Sequence, residues 1–321
     1  MTTSLLIEAF LQCVVPGLLY GVGAMGLAIS LRYLRFPDLT SIGAVVLGGT
    51  VCIEVTNRSS AALGIGSGFA AGFILGMLTG WITTRFKIDP VLASVVTFTL
   101  SATPAYLTTE SGRISLSADS LSPFAAVFVA KDVALVLAVV VLLAALIAVG
   151  SRTSFGLLLL AMSANDDFLK ARHRFRNTVF VLTLAFADGL VGLAGALFAL
   201  RTRSAAVESH RFFLPAALAA IYGGDAIVSV MLRRWPWLST LASTSGSGDT
   251  ETTTSAQSPI PLFWRFSSYA FTAVLVLFVG HIFEARLPER ISPALAVNDA
   301  FQYAATAIAM LAFLAWARER R

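Results

Sequence analysis

The run VALVLAVVVLLAALIAVG, residues 133–150, contains no charged and no hydrogen-bonding side chain. As a helix it is long enough to cross most of a bilayer core about 30 Å thick. A second long apolar run extends from Val179 to Leu200. Several such runs in one chain are not expected of the buried helices of a water-soluble protein. Hydrophobic residues make up 57% of the 321 residues and charged residues only 13%, so the chain is predicted to be an integral membrane protein.

The apolar segments predict an all-α polytopic membrane protein, a compact helical bundle of about nine membrane segments that forms one domain over residues 1–321. The second segment is shorter than the usual span of about 20 residues, which indicates a broken or tilted helix. The predicted segments are 4–31, 40–56, 62–84, 90–108, 132–150, 177–200, 212–231, 267–285 and 295–316.

The placement of Lys and Arg predicts that the N-terminus is outside and the C-terminus inside. In this orientation fifteen of the 23 basic residues lie on the inner side, as the positive-inside rule requires. The polar stretch 108–122 is then an outer loop. The Ser/Thr/Gly-rich stretch 243–258 is predicted to be a flexible cytoplasmic loop, because it has too few apolar side chains to order itself. A regulatory or docking role is the alternative for this loop.

The sequence lacks the residue patterns that are typical of several kinds of functional site. Cys13 and Cys52 both lie in apolar segments and are interpreted as small hydrophobic residues. The three histidines are scattered, so no metal site and no catalytic residue is predicted. There is no G-x-x-x-x-G-K-[ST] loop for ATP, and no cofactor is expected. Basic residues are spread over loops, which argues against nucleic-acid binding.

Glycines recur at helical spacing in three segments. Gly68, Gly72, Gly76 and Gly80 form one smooth stripe in the third segment. The first segment has Gly17 and Gly21, and the sixth has Gly189, Gly192 and Gly195. Such stripes allow helices to approach closely. They predict tight packing, either within the chain or to a second copy.

Three acidic residues fall inside or near apolar segments. Glu54 lies near a predicted span end, where water can reach it, whereas Asp188 and Asp225 lie within segments. An intramembrane carboxylate indicates a transport pathway or a partner. The alternative is a locally hydrogen-bonded or protonated acid that faces the bundle. None of these acids is paired with His, Lys or another acid at helical spacing.

The stretch LRYLRFPDLTSIGAVVLGG, residues 31–49, interrupts the first two apolar segments. Arg32 and Arg35 are predicted to hold the end of the first span inside, and Pro37 to stop its helix. Asp38 or Thr40 can cap the following helix. The stretch is either a plain loop at the cytoplasmic surface or a break inside the bundle, where irregular backbone is tolerated only next to protein or a wet cavity.

Residues 152–176 form a cytoplasmic segment between the fifth and sixth predicted spans. Thr153 or Ser154 can cap a helix start. Asn165 can cap a second, short helix with acidic residues in its first turn and basic residues toward its end, which suits the helix dipole. Such a helix is suited to docking into a partner. An ordinary positive-inside loop is the alternative.

Three blocks of the sequence resemble the permease subunits of bacterial ATP-binding-cassette (ABC) importers of the branched-chain amino acid and sugar group, with the greatest likeness to the branch of tryptophan-type uncharacterised permeases. The blocks are LRYLRFPDLTSIGAVVLGGTV, TSFGLLLLAMSANDDFLKARHRF and LAFADGLVGLAGALFAL. The sequence departs from the family pattern at Ser163 and Ala164, where glycine is usual, and at Asp188, where the family has Asn. The stretch HRFFLPAALAA replaces a glycine-rich one, and 243–258 resembles an insertion.

The resemblance implies a multi-pass permease in a bacterial cytoplasmic (inner) membrane that is not itself an enzyme. A separate ABC ATPase would use ATP and Mg²⁺, an external binding protein would deliver the solute, and a second permease copy or homologue would complete the pore. The solute implied is an amino acid or related small molecule. The ATPase-coupling helix would comprise Ser163, Ala164, Asn165, Asp166, Asp167, Phe168, Leu169 and Lys170. The candidate pathway residues are Asp38, Thr40, Ser41 and Asp188.

Other functional classes have weaker support in the sequence. A secondary carrier without an ATPase would need a coupling-ion site and inverted repeats, and only the break near Pro37 suggests one. A membrane-embedded enzyme would need a catalytic constellation that the sequence does not show. A non-transport membrane scaffold is the remaining alternative.

Overall fold

The computed structural model describes residues 3–107, 109, 112–117, 130–150, 152–164, 173–207, 213–234 and 266–275. Nine α-helices lie in these ranges, and a π-helical turn, Ser30–Leu34, follows the first of them. The helices are α1 (Thr3–Ile29), α2 (Thr40–Arg58), α3 (Ala61–Phe86), α4 (Pro90–Leu107), α5 (Ala130–Gly150), α6 (Ser154–Ala164), α7 (His173–Thr202), α8 (Phe213–Arg234) and α9 (Phe266–Leu275).

Six helical stretches of the described residues are long and apolar enough to cross a membrane: Cys13–Leu34, Thr40–Arg58, Ala61–Phe86, Pro90–Leu107, Val133–Gly150 and Arg176–Thr202. They coincide with the first six predicted segments. The seventh predicted segment corresponds to α8, a helix outside this set of six, and α9 occupies the first half of the eighth. The ninth segment, 295–316, and the predicted loop, 243–258, lie outside the described residues.

Helix α7 lies at the centre of the bundle, against α1, α2 and α3. Glycines make these contacts close. A Cβ atom on Gly76 of α3 would lie 2.6 Å from the Leu184 carbonyl oxygen, and one on Gly80 would lie 2.9 Å from the Val181 Cα. A Cβ on Gly192 of α7 would lie 2.5 Å from the Gly68 carbonyl oxygen. The α3 stripe therefore packs within the chain, against α7.

The glycines of the first span face a different helix. A Cβ on Gly17 would lie 2.5 Å from the Val274 Cα of α9, and one on Gly21 would lie 2.7 Å from the Ala270 Cβ. Helix α9 therefore packs directly against α1, as the two buried residues Ala270 and Val274 also indicate.

Two short strands correct the prediction that every element is helical. Strand β1 (Arg113–Ser115) pairs antiparallel with β2 (Ser204–Ala206) in the register Arg113 to Ala206. Asn57, at the end of α2, donates to the Ser115 carbonyl oxygen at 3.1 Å and accepts from the Ser117 amide at 2.9 Å. The C-terminal ends of α2, α4 and α7 therefore lie on the same side of the bundle. This is required if successive predicted spans cross the membrane in opposite directions.

Candidate functional site: the break between the first two spans

The first span ends in a helix break rather than a simple loop. The helix widens into the π-helical turn at Ser30, and Arg35 follows in the left-handed region with φ of 58°. Pro37 has no amide hydrogen to continue the helix, and it restricts Phe36. Phe36 is buried and stacks on Phe180 of α7, with ring centroids 5.9 Å apart. Arg35 and Pro37 are exposed.

Asp38 starts the second span from inside the bundle. Its side chain is 1% exposed, and its Oδ1 atom accepts a hydrogen bond from the Thr40 amide at 2.9 Å. This bond satisfies one of the free amides at the start of α2. Ser41 donates from its hydroxyl to the Asp38 carbonyl oxygen at 2.7 Å. The N-cap residue of α2 is Leu39, not Asp38 or Thr40 as predicted, and Asp38 bonds the first amide of the helix from one position earlier.

Asp38 meets Asp188, the buried acid of α7. The two carboxyl groups are close enough to interact directly, and Asp188 is also 1% exposed. Asp188 lies about 18 Å along the helix axis from Arg176 and about 21 Å from Thr202, at 1.5 Å per residue. Asp38 therefore lies deep among the membrane-spanning helices, not in a surface loop.

Hydroxyl groups surround this pair. Thr40 and Thr79 of α3 share a hydrogen bond of 2.9 Å between their side-chain oxygens, and Thr79 donates to the Leu75 carbonyl oxygen at 3.1 Å. Both threonines and Ser41 are buried. The structure thus brings together all four predicted pathway residues, Asp38, Thr40, Ser41 and Asp188, where α2, α3 and α7 meet.

A second polar contact ties the break to later helices. Arg32, in the π-helical turn, forms an ion pair with both carboxylate oxygens of Asp225 in α8. The Tyr269 hydroxyl of α9 donates to Asp225 at 3.2 Å. The Arg32 guanidinium carbon lies 5.5 Å from the centroid of the Tyr269 ring. Asp225, one of the acids within the predicted segments, therefore has the guanidinium of Arg32 and the hydroxyl of Tyr269 as partners.

Two cavities lie at the end of the bundle that is predicted to face the cytoplasm. One, of about 380 Å³, is lined by Lys87, Arg176 and Asn177 together with threonine hydroxyls. The other, of about 390 Å³, is mostly apolar and lies between the π-helical turn, α3, α5, α6 and α7, with Tyr33, Phe73 and Phe186 among its walls.

The predicted coupling segment is described in part. The Thr153 hydroxyl accepts a hydrogen bond from the Gly156 amide at 3.3 Å, which confirms the predicted helix cap. Ser163 and Ala164 are the last two residues of α6. Asn165, Asp166, Asp167, Phe168, Leu169 and Lys170 lie outside the described residues.

Sequence reasoning missed the partners of the acids within the apolar segments. Asp38 and Asp188 are far apart in the chain, and Arg32 and Asp225 are separated by 193 residues, so neither pair shows helical spacing. Thr79 was also missed, because a threonine within an apolar helix often bonds its own backbone. The one available signal was that Thr79 falls between Gly76 and Gly80, on the glycine-rich face that packs against α7.

Among the described residues there is no group of three or more side chains that could hold a metal ion. No curated protein and no solved structure matches the chain significantly. A family model for the permease component of branched-chain amino acid transport systems matches residues 9–233. This match includes the break, the buried pair and the whole of α7. The chain therefore belongs to the branched-chain amino acid transport system permease family.

Proposed function

We propose that the protein is the membrane-spanning subunit of an ABC importer, and that its solute pathway passes the break between α1 and α2. The observation that carries this proposal is the position of Asp38, buried at membrane depth between the helix break that ends the first span and the start of the second. Irregular backbone at that depth is tolerated only where protein or a water-filled cavity satisfies its hydrogen-bonding groups. Polar residues at that depth commonly mark a transport path.

The connection between α6 and α7 supports coupling to a separate ATPase. The segment 152–176 joins two spans, and α7 begins within it at His173. Because α7 carries Asp188 and packs closely on α2 and α3, a displacement of this segment would move one wall of the buried polar centre. Such rigid-body movement of packed helices is a common way to switch access to a site.

The resemblance of the sequence supports further parts of the proposal. The solute would be an amino acid or a related small molecule, and the permease would belong to the tryptophan-type branch. It would work with an external binding protein and a second permease copy in a bacterial inner membrane. The chain itself would be a pore subunit without enzymatic activity, and ATP and Mg²⁺ would act on the partner. The polar cavity beside Lys87 and Arg176 offers positive charge at the predicted cytoplasmic face.

A secondary carrier is the second candidate, because Asp38 and Asp188 are the kind of acid pair that such a carrier needs. The two candidates differ in their energy source. Uptake by an ABC importer requires ATP and continues when the proton gradient is collapsed, whereas uptake by a proton-coupled carrier stops.

The experiment is affinity purification of the tagged full chain from its native membranes, followed by ATP hydrolysis and uptake assays. We expect an ATPase to co-purify, and Asp166→Lys and Phe168→Ala to reduce both its binding and uptake. Arg113→Ala, on the exposed outer strand β1, is the matched control and should leave both unchanged. If both coupling-segment variants bind the ATPase and support uptake normally, the coupling assignment is wrong. Uptake that requires the proton gradient and no ATP would favour the carrier.

A further inference from the structure

The contact between Asp38 and Asp188 places two acidic side chains together in the interior of the bundle. Each is 1% exposed, and they come from separate elements, the break before α2 and the middle of α7. A Cβ on Gly76 of α3 would lie 2.8 Å from Oδ2 of Asp188, so helix packing holds α3 directly against this carboxyl group.

Three of the four carboxyl oxygens of this pair lack a hydrogen-bond donor. Oδ1 of Asp38 accepts from the Thr40 amide. In contrast, Oδ2 of Asp38 and both oxygens of Asp188 have no hydrogen-bond donor among the described residues. A buried carboxylate without a donor is very costly, and these three oxygens are among the few buried polar side-chain atoms of the described chain with no hydrogen-bond partner.

No nearby cation compensates the pair. On the described parts of α1, α2, α3 and α7, the hydroxyls of Thr40 and Thr79 lie close by, and the only titratable group that faces each carboxyl is the other one. Arg32, on the π-helical turn, is engaged with Asp225. Two ionised carboxylates in direct contact repel each other strongly in a medium of low dielectric constant.

We propose that Asp38 and Asp188 form a buried binding site for a single proton, which is held in a hydrogen bond between the two carboxyl groups. One carboxyl then donates and the other accepts, so the pair carries one negative charge instead of two. Water supplies the proton and takes it back, and no other reactant is needed.

The geometry favours a proton over a metal ion. Each carboxyl group has the other as its only acidic neighbour among the described residues. A cation such as Na⁺ or Ca²⁺ needs about six oxygen ligands, and the described residues contain no group of three acidic, histidine or cysteine side chains that could supply a metal site.

The direct test is infrared spectroscopy of the full-length protein in lipid nanodiscs at neutral pH. A protonated carboxylic acid has a carbonyl-stretch band that an ionised carboxylate lacks. We expect this band in the unmodified protein and its loss in both Asp38→Asn and Asp188→Asn, because the new amide donates to the remaining carboxylate and the proton is no longer needed. Glu54→Gln is the control and should retain the band, since Glu54 is paired with Arg58 on the surface.

Other spectra would overturn the proposal. Absence of the band in the unmodified protein means that the pair holds no proton. A band that survives in either single variant means that the proton is not shared between the two residues.

A second measurement serves if an Asn variant does not fold. The unmodified protein is titrated toward high pH, and we expect the band to disappear together with a fall in the thermal unfolding temperature. Glu54→Gln should show both changes over the same range, because it leaves the pair of Asp38 and Asp188 intact. Stabilisation of the unmodified protein by added Na⁺ at fixed pH, without the band, would overturn the proposal in favour of a metal cation.

Discussion

Arg32 and Asp225 form an ion pair across the bundle, although 193 residues separate them in the sequence. Arg32 belongs to the π-helical turn that ends the first span, and π-helical turns are frequent at functional sites. Asp225 also accepts from Tyr269. Three separate parts of the chain, the break, α8 and α9, therefore meet at one carboxylate.

Removal of this ion pair should weaken the attachment of α8 and α9 to the break. We expect Arg32→Gln or Asp225→Asn to lower the free energy of unfolding by about 1 kcal/mol, because the side chains are 25% and 39% exposed and solvent screens part of the attraction. Thermal unfolding of the purified protein and a double-mutant cycle measure the coupling. The surface pair Glu54–Arg58, whose arginine is 79% exposed, is the matched control and should contribute less. Equal losses for the two pairs would contradict the structural role of Arg32.

A side chain at Gly72 should separate α3 from α7. A Cβ there would meet the Asp188 carbonyl group and would lie 3.0 Å from the Gly192 Cα. We expect Gly72→Ala to cost about 2 kcal/mol, in the range of overpacked interiors. Gly66→Ala, on the same helix with nothing within 4 Å of the new Cβ, should cost nothing. Yield and unfolding temperature in detergent compare the two variants, and equal behaviour would mean that the close approach is not required.

The hydroxyl of Thr79 should stabilise the start of α2 through Thr40. We expect Thr79→Val to cost about 1 kcal/mol, because Thr40 loses a buried hydrogen-bond partner. Thr99→Val is the matched control, since the exposed Thr99 hydroxyl bonds only the Val96 carbonyl of its own helix. Chemical unfolding of the two variants measures the difference. If Thr99→Val costs as much as Thr79→Val, the contact between helices contributes nothing.

The predicted orientation can be tested by labelling with a membrane-impermeant thiol reagent. We expect Arg113→Cys to react in intact cells, and Lys87→Cys and Arg152→Cys to react only in inside-out vesicles. All three positions are exposed. The native Cys13 and Cys52 are buried and should give little background. The reverse pattern would place the N-terminus inside.

The long apolar runs could be interpreted from the sequence because hydrophobicity over about 20 residues is a local property. The predicted segment 90–108 and the span Pro90–Leu107 differ by one residue. The cap at Thr153 and the packing role of the α3 glycines were also predictable, since both depend on spacing within one helix.

The contacts between distant residues were not predictable from one sequence. The segments that contain Asp38 and Asp188 show no pattern that relates them, and the pair arises only from the packing of α2 and α3 on α7. The ribbon of β1 and β2 was missed because each strand has three residues, too few for an alternating pattern. The π-helical turn was missed because its sequence, SLRYL, resembles an ordinary helix end.

The length of helix α7 has a mechanical consequence for both faces of the membrane. It extends over 30 residues, or about 45 Å, from the segment predicted to contact the ATPase to Thr202, and β2 begins two residues later. A hydrogen-bonded helix resists compression along its axis. We therefore expect an axial shift at His173 to be transmitted to the ribbon at Ser204, on the side of the membrane that is predicted to be outside.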